Sequence, residues 1–172
     1  KQEFTKKDFP IFTQIPNLVY LDSAATSLKP QSVIDSENEY YTEYSANINR
    51  GIYKISEKAT ELYEKSRSKI AQFVKVKDAR EIVFVRSATE AINLVMYCWG
   101  RKYINADSGI VTTIMEHHSN FVPWQTLCRH KNAKFTIIDI TEEGLLDEKQ
   151  LIASISAKTK LVVMTHVSNV LG

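Results

Sequence analysis

Apolar and polar residues follow one rhythm over the first part of this chain and another beyond about residue 81. Residues 1–28 show no regular period. They hold one apolar patch, Leu18-Val19-Tyr20-Leu21, which runs into Asp22-Ser23-Ala24-Ala25-Thr26. Pro30 then opens a helical pattern in which Val33, Glu37, Tyr40, Tyr41 and Tyr44 share a face, an aromatic stripe expected to pack into a core. After the loop Ser45-Ala46-Asn47-Ile48-Asn49-Arg50-Gly51, a long amphipathic helix is predicted from about residue 56. Ala59, Leu62, Tyr63, Ser66, Ile70 and Phe73 make its inner stripe, and Glu57, Lys58, Glu61, Glu64, Lys65 and Lys69 face water.

From residue 81 short β-rich runs alternate with helical ones. Strands are predicted near 81–86, 110–114, 134–138 and 160–166. Between them lie a helix over 88–99 stopped by Gly100, a second containing Pro123 and Trp124, and a third opened by the capping sequence Asp147-Glu148-Lys149-Gln150 and running to about 155. Alternation of this kind, with strands that are nearly continuous apolar runs, predicts an α/β fold: a mainly parallel sheet with helices on both faces. The last predicted strand is apolar on both faces and is followed by only six residues. The sequence is therefore expected to be an excerpt of a longer chain, since domain boundaries rarely fall beside a deep strand.

Composition narrows the function classes. The 172 residues are 44% hydrophobic and 24% charged, as in ordinary globular domains. A net charge of +2 is too balanced for an electrostatic nucleic-acid binder. No apolar run approaches the roughly 18 residues of a membrane span, and the charged start has no signal-peptide core. A cytoplasmic protein is the expectation. With five glycines the chain has neither GxGxxG nor GxxxxGK[ST], the signatures of dinucleotide and P-loop binding. Cys98 and Cys128 belong to no CxxC pair. Both fall in apolar helical segments and are expected to be buried structural thiols.

In an open parallel sheet, ligands bind where strands end and helices begin. Three such junctions carry polar residues. At Arg86-Ser87-Ala88-Thr89-Glu90 a strand becomes a helix. Its first turn can hold a phosphate through exposed N–H groups and the Thr89 hydroxyl, or Ser87 and Glu90 can form a plain capping box. At Glu116-His117-His118-Ser119-Asn120, side-chain alternation predicts that His117 faces the Ala88-Thr89 turn and His118 points away. A zinc site there would need a further ligand such as His166 or Cys128, and HExxH spacing is missing. The third junction, Thr165-His166-Val167-Ser168-Asn169, offers a carboxamide that can donate to a ligand or serve only as a turn residue.

The runs Leu21-Asp22-Ser23-Ala24-Ala25-Thr26, Asn49-Arg50-Gly51-Ile52, Thr89-Glu90-Ala91-Ile92-Asn93-Leu94, Met115 to Trp124 (MEHHSNFVPW) and Thr165 to Gly172 (THVSNVLG) occur in an order that resembles the Suf-type (group II) cysteine desulfurases of the class V aminotransferases. The resemblance covers the chain from Phe9 onward. It implies the large domain of a fold-type-I transferase dependent on pyridoxal 5'-phosphate (PLP). Residues 1–28 would be an N-terminal arm and 29–172 the first part of the PLP-binding domain, with the rest of that domain and a small C-terminal domain to follow. It implies a homodimer that takes sulfur from L-cysteine, leaving alanine, and passes it through an enzyme persulfide to an acceptor protein for iron–sulfur assembly. The alternatives are a selenocysteine lyase, another carbon–sulfur lyase of the class, or a non-catalytic binding protein with the same fold. By resemblance, Ala88 and Thr89 cradle the cofactor phosphate. His117 stacks on its ring and is a candidate proton carrier, Asn169 approaches its phenolic oxygen, and Ala24, Asn49 and Arg50 line the substrate entrance. No metal is implied. The family's S-G-H-K-like lysine segment, ring-nitrogen aspartate and mobile-loop cysteine have no match here, so residues 1–172 alone are expected to be inactive.

Overall fold

The change of rhythm near residue 81 coincides with a division of the fold. A computed structural model describes residues 5–172, which group into one unit ending at Val83 and another running from Phe84 to Gly172.

In the first unit the irregular stretch contains a 3-10 turn, Lys6–Asp8, and a single helical turn α1, Ile11–Gln14. Helix α2, Gln31–Glu43, starts directly after Pro30, whose missing N–H costs nothing at a helix start. The tyrosine stripe is only partly a core feature. Tyr44 is buried, with Tyr40 edge-on to it at 5.6 Å, whereas Tyr41 and Val33 are exposed. Helix α3, Lys54–Phe73, begins two residues earlier than predicted. Its inner face comprises Ser56, Ala59 and Ala71 rather than Phe73, which is 85% exposed. On the same helix Arg67 pairs with Glu64 and donates from Nη1 to the Ile82 carbonyl.

The predicted strand at 81–86 lies outside the three-stranded sheet. At its two ends Arg67 binds the Ile82 carbonyl, and the Glu90 carboxylate accepts from Arg86 N–H at 2.6 Å.

The second unit holds the sheet. Strands β1 (Gly109–Thr113), β2 (Lys134–Ile138) and β3 (Thr159–Val163) are all parallel, in the order β2-β1-β3. Three of the four predicted strands are thus present in one sheet. β3 stops at Val163, because the Thr165 N–H is bound by a side chain instead of a neighbouring strand. Every residue of central β1 is buried, so this strand has the two-sided cover that the apolar runs predict. On one face Ile110, Leu161 and Phe135 pack against α6 (His118–Lys131) through Trp124, Leu127 and Cys128. On the other, Val111 and Ile138 are buried too, and α7 (Glu148–Ser154) lies along β2. The path β1–α6–β2 crosses the sheet one way and β2–α7–β3 returns past β1. With right-handed crossovers the two helices fall on opposite faces.

Helix α4, Ala88–Val95, does not stop at Gly100. It widens into a π-helical turn, Met96–Gly100, and continues as α5, Arg101–Tyr103. Gly100 is needed for contact, not termination: a Cβ there would lie 2.7 Å from Leu127 Cδ2 and 3.3 Å from Trp124 Cζ3. Cys98, within this turn, is exposed, against the expectation of burial, while Cys128 is buried as expected.

Candidate functional site

A sheet whose chain reverses direction about β1 opens a crevice beyond the C-terminal ends of the strands on either side of the reversal. The structure has a cavity of about 410 Å³ at that place, lined by Ile114 to His118 after β1, Ile140, and Ser168 to Leu171 after β3. A second cavity of about 510 Å³ is lined by Thr89, Asn93, Met96, Tyr97 and the first turns of α6. His117 and His118 line both. The fold thus brings His117, Asn169 and Thr89 around adjoining spaces.

Each of the three is set by local structure. His117 is the N-cap of α6, and its Nδ1 accepts from Ser119 N–H at 3.2 Å, with Ser119 Oγ at 2.7 Å. Because α6 begins at residue 118, strand alternation does not apply to the pair. His118 therefore lines the same cavities as His117 instead of pointing away, the two ring centroids being 6.1 Å apart. Asn169 projects from a turn closed by Ser168 Oγ, which accepts from Val170 and Leu171 N–H at 3.2 Å each. At the start of α4, Ser87 Oγ accepts from Glu90 N–H at 3.2 Å, and Glu90 turns back to Arg86. Capping and anion binding are therefore compatible. The cap uses the third N–H of the helix and leaves those of Ala88 and Thr89 without intrahelical acceptors. The Glu90 carboxyl titrates below its usual range because Arg86 donates to it from side chain and backbone.

Glu116 holds this arrangement together, and sequence reasoning missed its role. It is 9% exposed and accepts three hydrogen bonds: from Thr113 Oγ1 at 2.7 Å, from Thr165 N–H at 2.7 Å and from Asn120 Nδ2 at 2.6 Å. It so ties the end of β1, the segment after β3 and the first turn of α6 to one carboxylate. The available signal was Glu116 and Asn120 at i,i+4 directly after a predicted strand.

Ala24, Asn49 and Arg50 belong to the first unit. Ala24 sits in a turn where Ala25 and Thr26 N–H donate to the Asp22 carbonyl. Asn49 takes a left-handed φ of 79° and donates its N–H to Thr60 Oγ1 at 3.0 Å. Arg50 is exposed beside it.

Among the described residues no three His, Cys, Asp or Glu side chains are grouped to hold a metal ion, and no helix is long and apolar enough to cross a membrane. Burial pushes the Cys128 thiol up to about 11. At pH 8 its thiolate fraction is then about a hundredfold below that of an ordinary thiol. Titration of the folded protein with a disulfide reagent should label Cys98 rapidly and Cys128 only on unfolding. Equal rates for the two would contradict the buried position of Cys128.

A parallel sheet with a fully buried central strand, and cavities lined by polar residues at its strand ends, defines an α/β protein with a candidate ligand site there. The chain belongs to the class-V aminotransferase family, whose pattern matches residues 19–172. It is 45% identical over 170 residues to a protein of Synechocystis sp. named "Probable cysteine desulfurase", covering 97% of this chain and 40% of that one. Among solved structures it matches the apo cysteine desulfurase of Thermococcus onnurineus NA1 with a TM-score of 0.88 at 40% identity, over 97% of this chain and 40% of the other. It also matches the cysteine desulfurase CsdA (S-sulfonic acid) of Escherichia coli with a TM-score of 0.78 at 30% identity, over 94% and 41%. The fold is thus the one these enzymes share. The chain spans about 40% of the length of the relatives it matches.

Proposed function

We propose that this chain forms the cofactor-facing part of a PLP-dependent cysteine desulfurase of the Suf type, acting on L-cysteine. The observation that carries the reading is the meeting of His117 with Thr89 on one side and Asn169 on the other, at the strand ends of a class-V fold. The residues present fit the cofactor chemically. Ala88 and Thr89 N–H groups and the Thr89 hydroxyl would take the phosphate at a helix N-terminus. The exposed imidazole of His117 would lie against the pyridine ring, and the Asn169 carboxamide would donate to the ring oxygen. When bound, PLP supplies the electron sink for cleaving the carbon–sulfur bond. Ala24, Asn49 and Arg50 would line the entrance for L-cysteine. The Cys128 thiol, held protonated by burial, is unsuited to receive the sulfur. A homodimer, transfer of sulfur to an acceptor protein for iron–sulfur assembly, and a cytoplasmic location complete the reading.

The test uses the full-length protein, supplied with PLP and L-cysteine, and measures alanine, sulfide and the absorbance of bound cofactor. Alanine should form in proportion to bound PLP. Thr89→Ala should weaken PLP binding about tenfold, as expected for one charge-assisted hydrogen bond. Residues 1–172 alone should show no turnover. Absence of PLP binding by the full-length protein, or turnover unaffected by its removal, would sink the reading.

A further inference from the structure

We propose that the cavity between the π-helical turn and the last turns of α6 binds a small phosphate monoester, at a site separate from the cleft at the strand ends. The cavity holds about 320 Å³ and is lined by Tyr97 and Arg101 on one side and by Thr126, Leu127, His130 and Lys131 of α6 on the other. Along α6, Thr126 and His130 are four residues apart, as are Leu127 and Lys131, so all four stand on neighbouring ridges of one face. Gly100 lets the two helices meet at Leu127, which is buried as the floor. The cavity adjoins the one at Thr89 through Tyr97 and Thr126, but Arg101, His130 and Lys131 belong to it alone. Lys131 lies about 20 Å along α6 from the His117 cap.

The Arg101 and Lys131 side chains carry like charges, which repel unless an anion lies between them. No acidic residue lines the cavity. Among the described residues, the side chains of Arg101, His130 and Lys131 have neither a carboxylate nor a carbonyl partner. Arg101 is braced only by the Tyr97 ring, 5.6 Å from its centroid, which holds the guanidinium without neutralising it. Basic residues in the last turn of a helix often serve its terminal carbonyls. Here the backbone does so: Asn132, at a left-handed φ of 53°, and Ala133 donate their N–H groups to the carbonyls of Arg129 and Cys128. The basic side chains are left for an external acceptor. A guanidinium fork, an ammonium, an imidazole and the Thr126 hydroxyl suit the several oxygens of a phosphate better than the two of a carboxylate. The Tyr97 ring and the Leu127 floor give an apolar surface, so the ligand carries an organic group beyond its phosphate.

The experiment titrates the full-length protein, supplied with excess PLP, with phenyl phosphate, inorganic phosphate and benzoate in a calorimeter. Phenyl phosphate should bind most tightly and benzoate most weakly, and added chloride should weaken all three. Arg101→Ala and Lys131→Met should each weaken phenyl phosphate about tenfold, as expected for one charged hydrogen bond. Arg101→Lys should recover only part of that loss, because an ammonium cannot form the fork. The absorbance of bound cofactor should be the same in these variants as in the unaltered protein. The proposal is overturned by any of three results: no saturable binding of either phosphate, equal affinity for benzoate, or an affinity for phenyl phosphate indifferent to both Arg101→Ala and Lys131→Met. If the protein takes up no PLP, the proposed function fails, while the same variants still decide this site.

Discussion

Glu116→Ala is expected to lower the stability of the protein by about 3 kcal/mol and to loosen the cleft at the same time. The substitution removes the acceptor of three donors, and Thr113 is itself 1% exposed. A buried donor left without its partner costs about 1–3 kcal/mol, and solvent entering the vacated space offsets part of the sum. Glu116→Gln should cost less, about 1–2 kcal/mol, because one oxygen still serves Thr113 and Thr165 while the new amide opposes that of Asn120. Urea denaturation of the three proteins gives the ranking. A loss below about 1 kcal/mol for the alanine variant would show that the carboxylate is not the tie between β1, α6 and the segment after β3. Since that segment carries Asn169 and α6 carries His117 at its cap, PLP affinity should fall along with stability.

Gly51→Ala should be the most damaging single methyl group in the first unit. A Cβ at this position would overlap Ser56 Oγ and Cβ and lie 3.0 Å from a ring carbon of Tyr53. Ser56 cannot simply move aside. It is fully buried in the first turn of α3 and donates to the Asn47 carbonyl at 2.6 Å, which pins the loop bearing Asn49 and Arg50. Overpacking of this kind costs about 1–3 kcal/mol, and the lost hydrogen bond adds about 1 kcal/mol. In a Ser56→Gly background the overlap vanishes, so the same Gly51→Ala change should cost under about 1 kcal/mol. The two substitutions should therefore be strongly non-additive in a double-mutant cycle. Additive costs would mean that the loop relaxes around the new methyl group by another route.

Local signals were read correctly where the physics is local. The start of α2 after Pro30, the Asp147 cap that accepts from Gln150 N–H at 2.9 Å, and the Ser87 cap each depend on residues within a few positions of one another. The three paired strands were visible because burial on a parallel sheet demands apolar runs. The placing of His117 and Asn169 just beyond strands, and of Thr89 in the first turn of a helix, was also legible, since such junctions show as changes of pattern along the chain.

Periodicity failed where a residue's fate depends on distant partners. The run at 82–85 has strand composition but lies outside the three-stranded sheet, and pairing depends on a neighbouring strand that composition does not reveal. The tyrosines of α2 have the spacing of a core stripe, yet only Tyr44 is buried, beneath the Lys58 ammonium 4.3 Å from its ring centroid. His118 was assigned by strand alternation, whereas the helix had already begun. What the sequence determined by itself is therefore the class of fold, the elements, and which residue types stand at the strand ends. The tertiary structure alone decided that Glu116 would join Thr165, 49 positions away, to the turn of His117. A buried carboxylate accepts whichever donors the crossing of β1 and β3 delivers to it, and no spacing along the chain encodes that crossing.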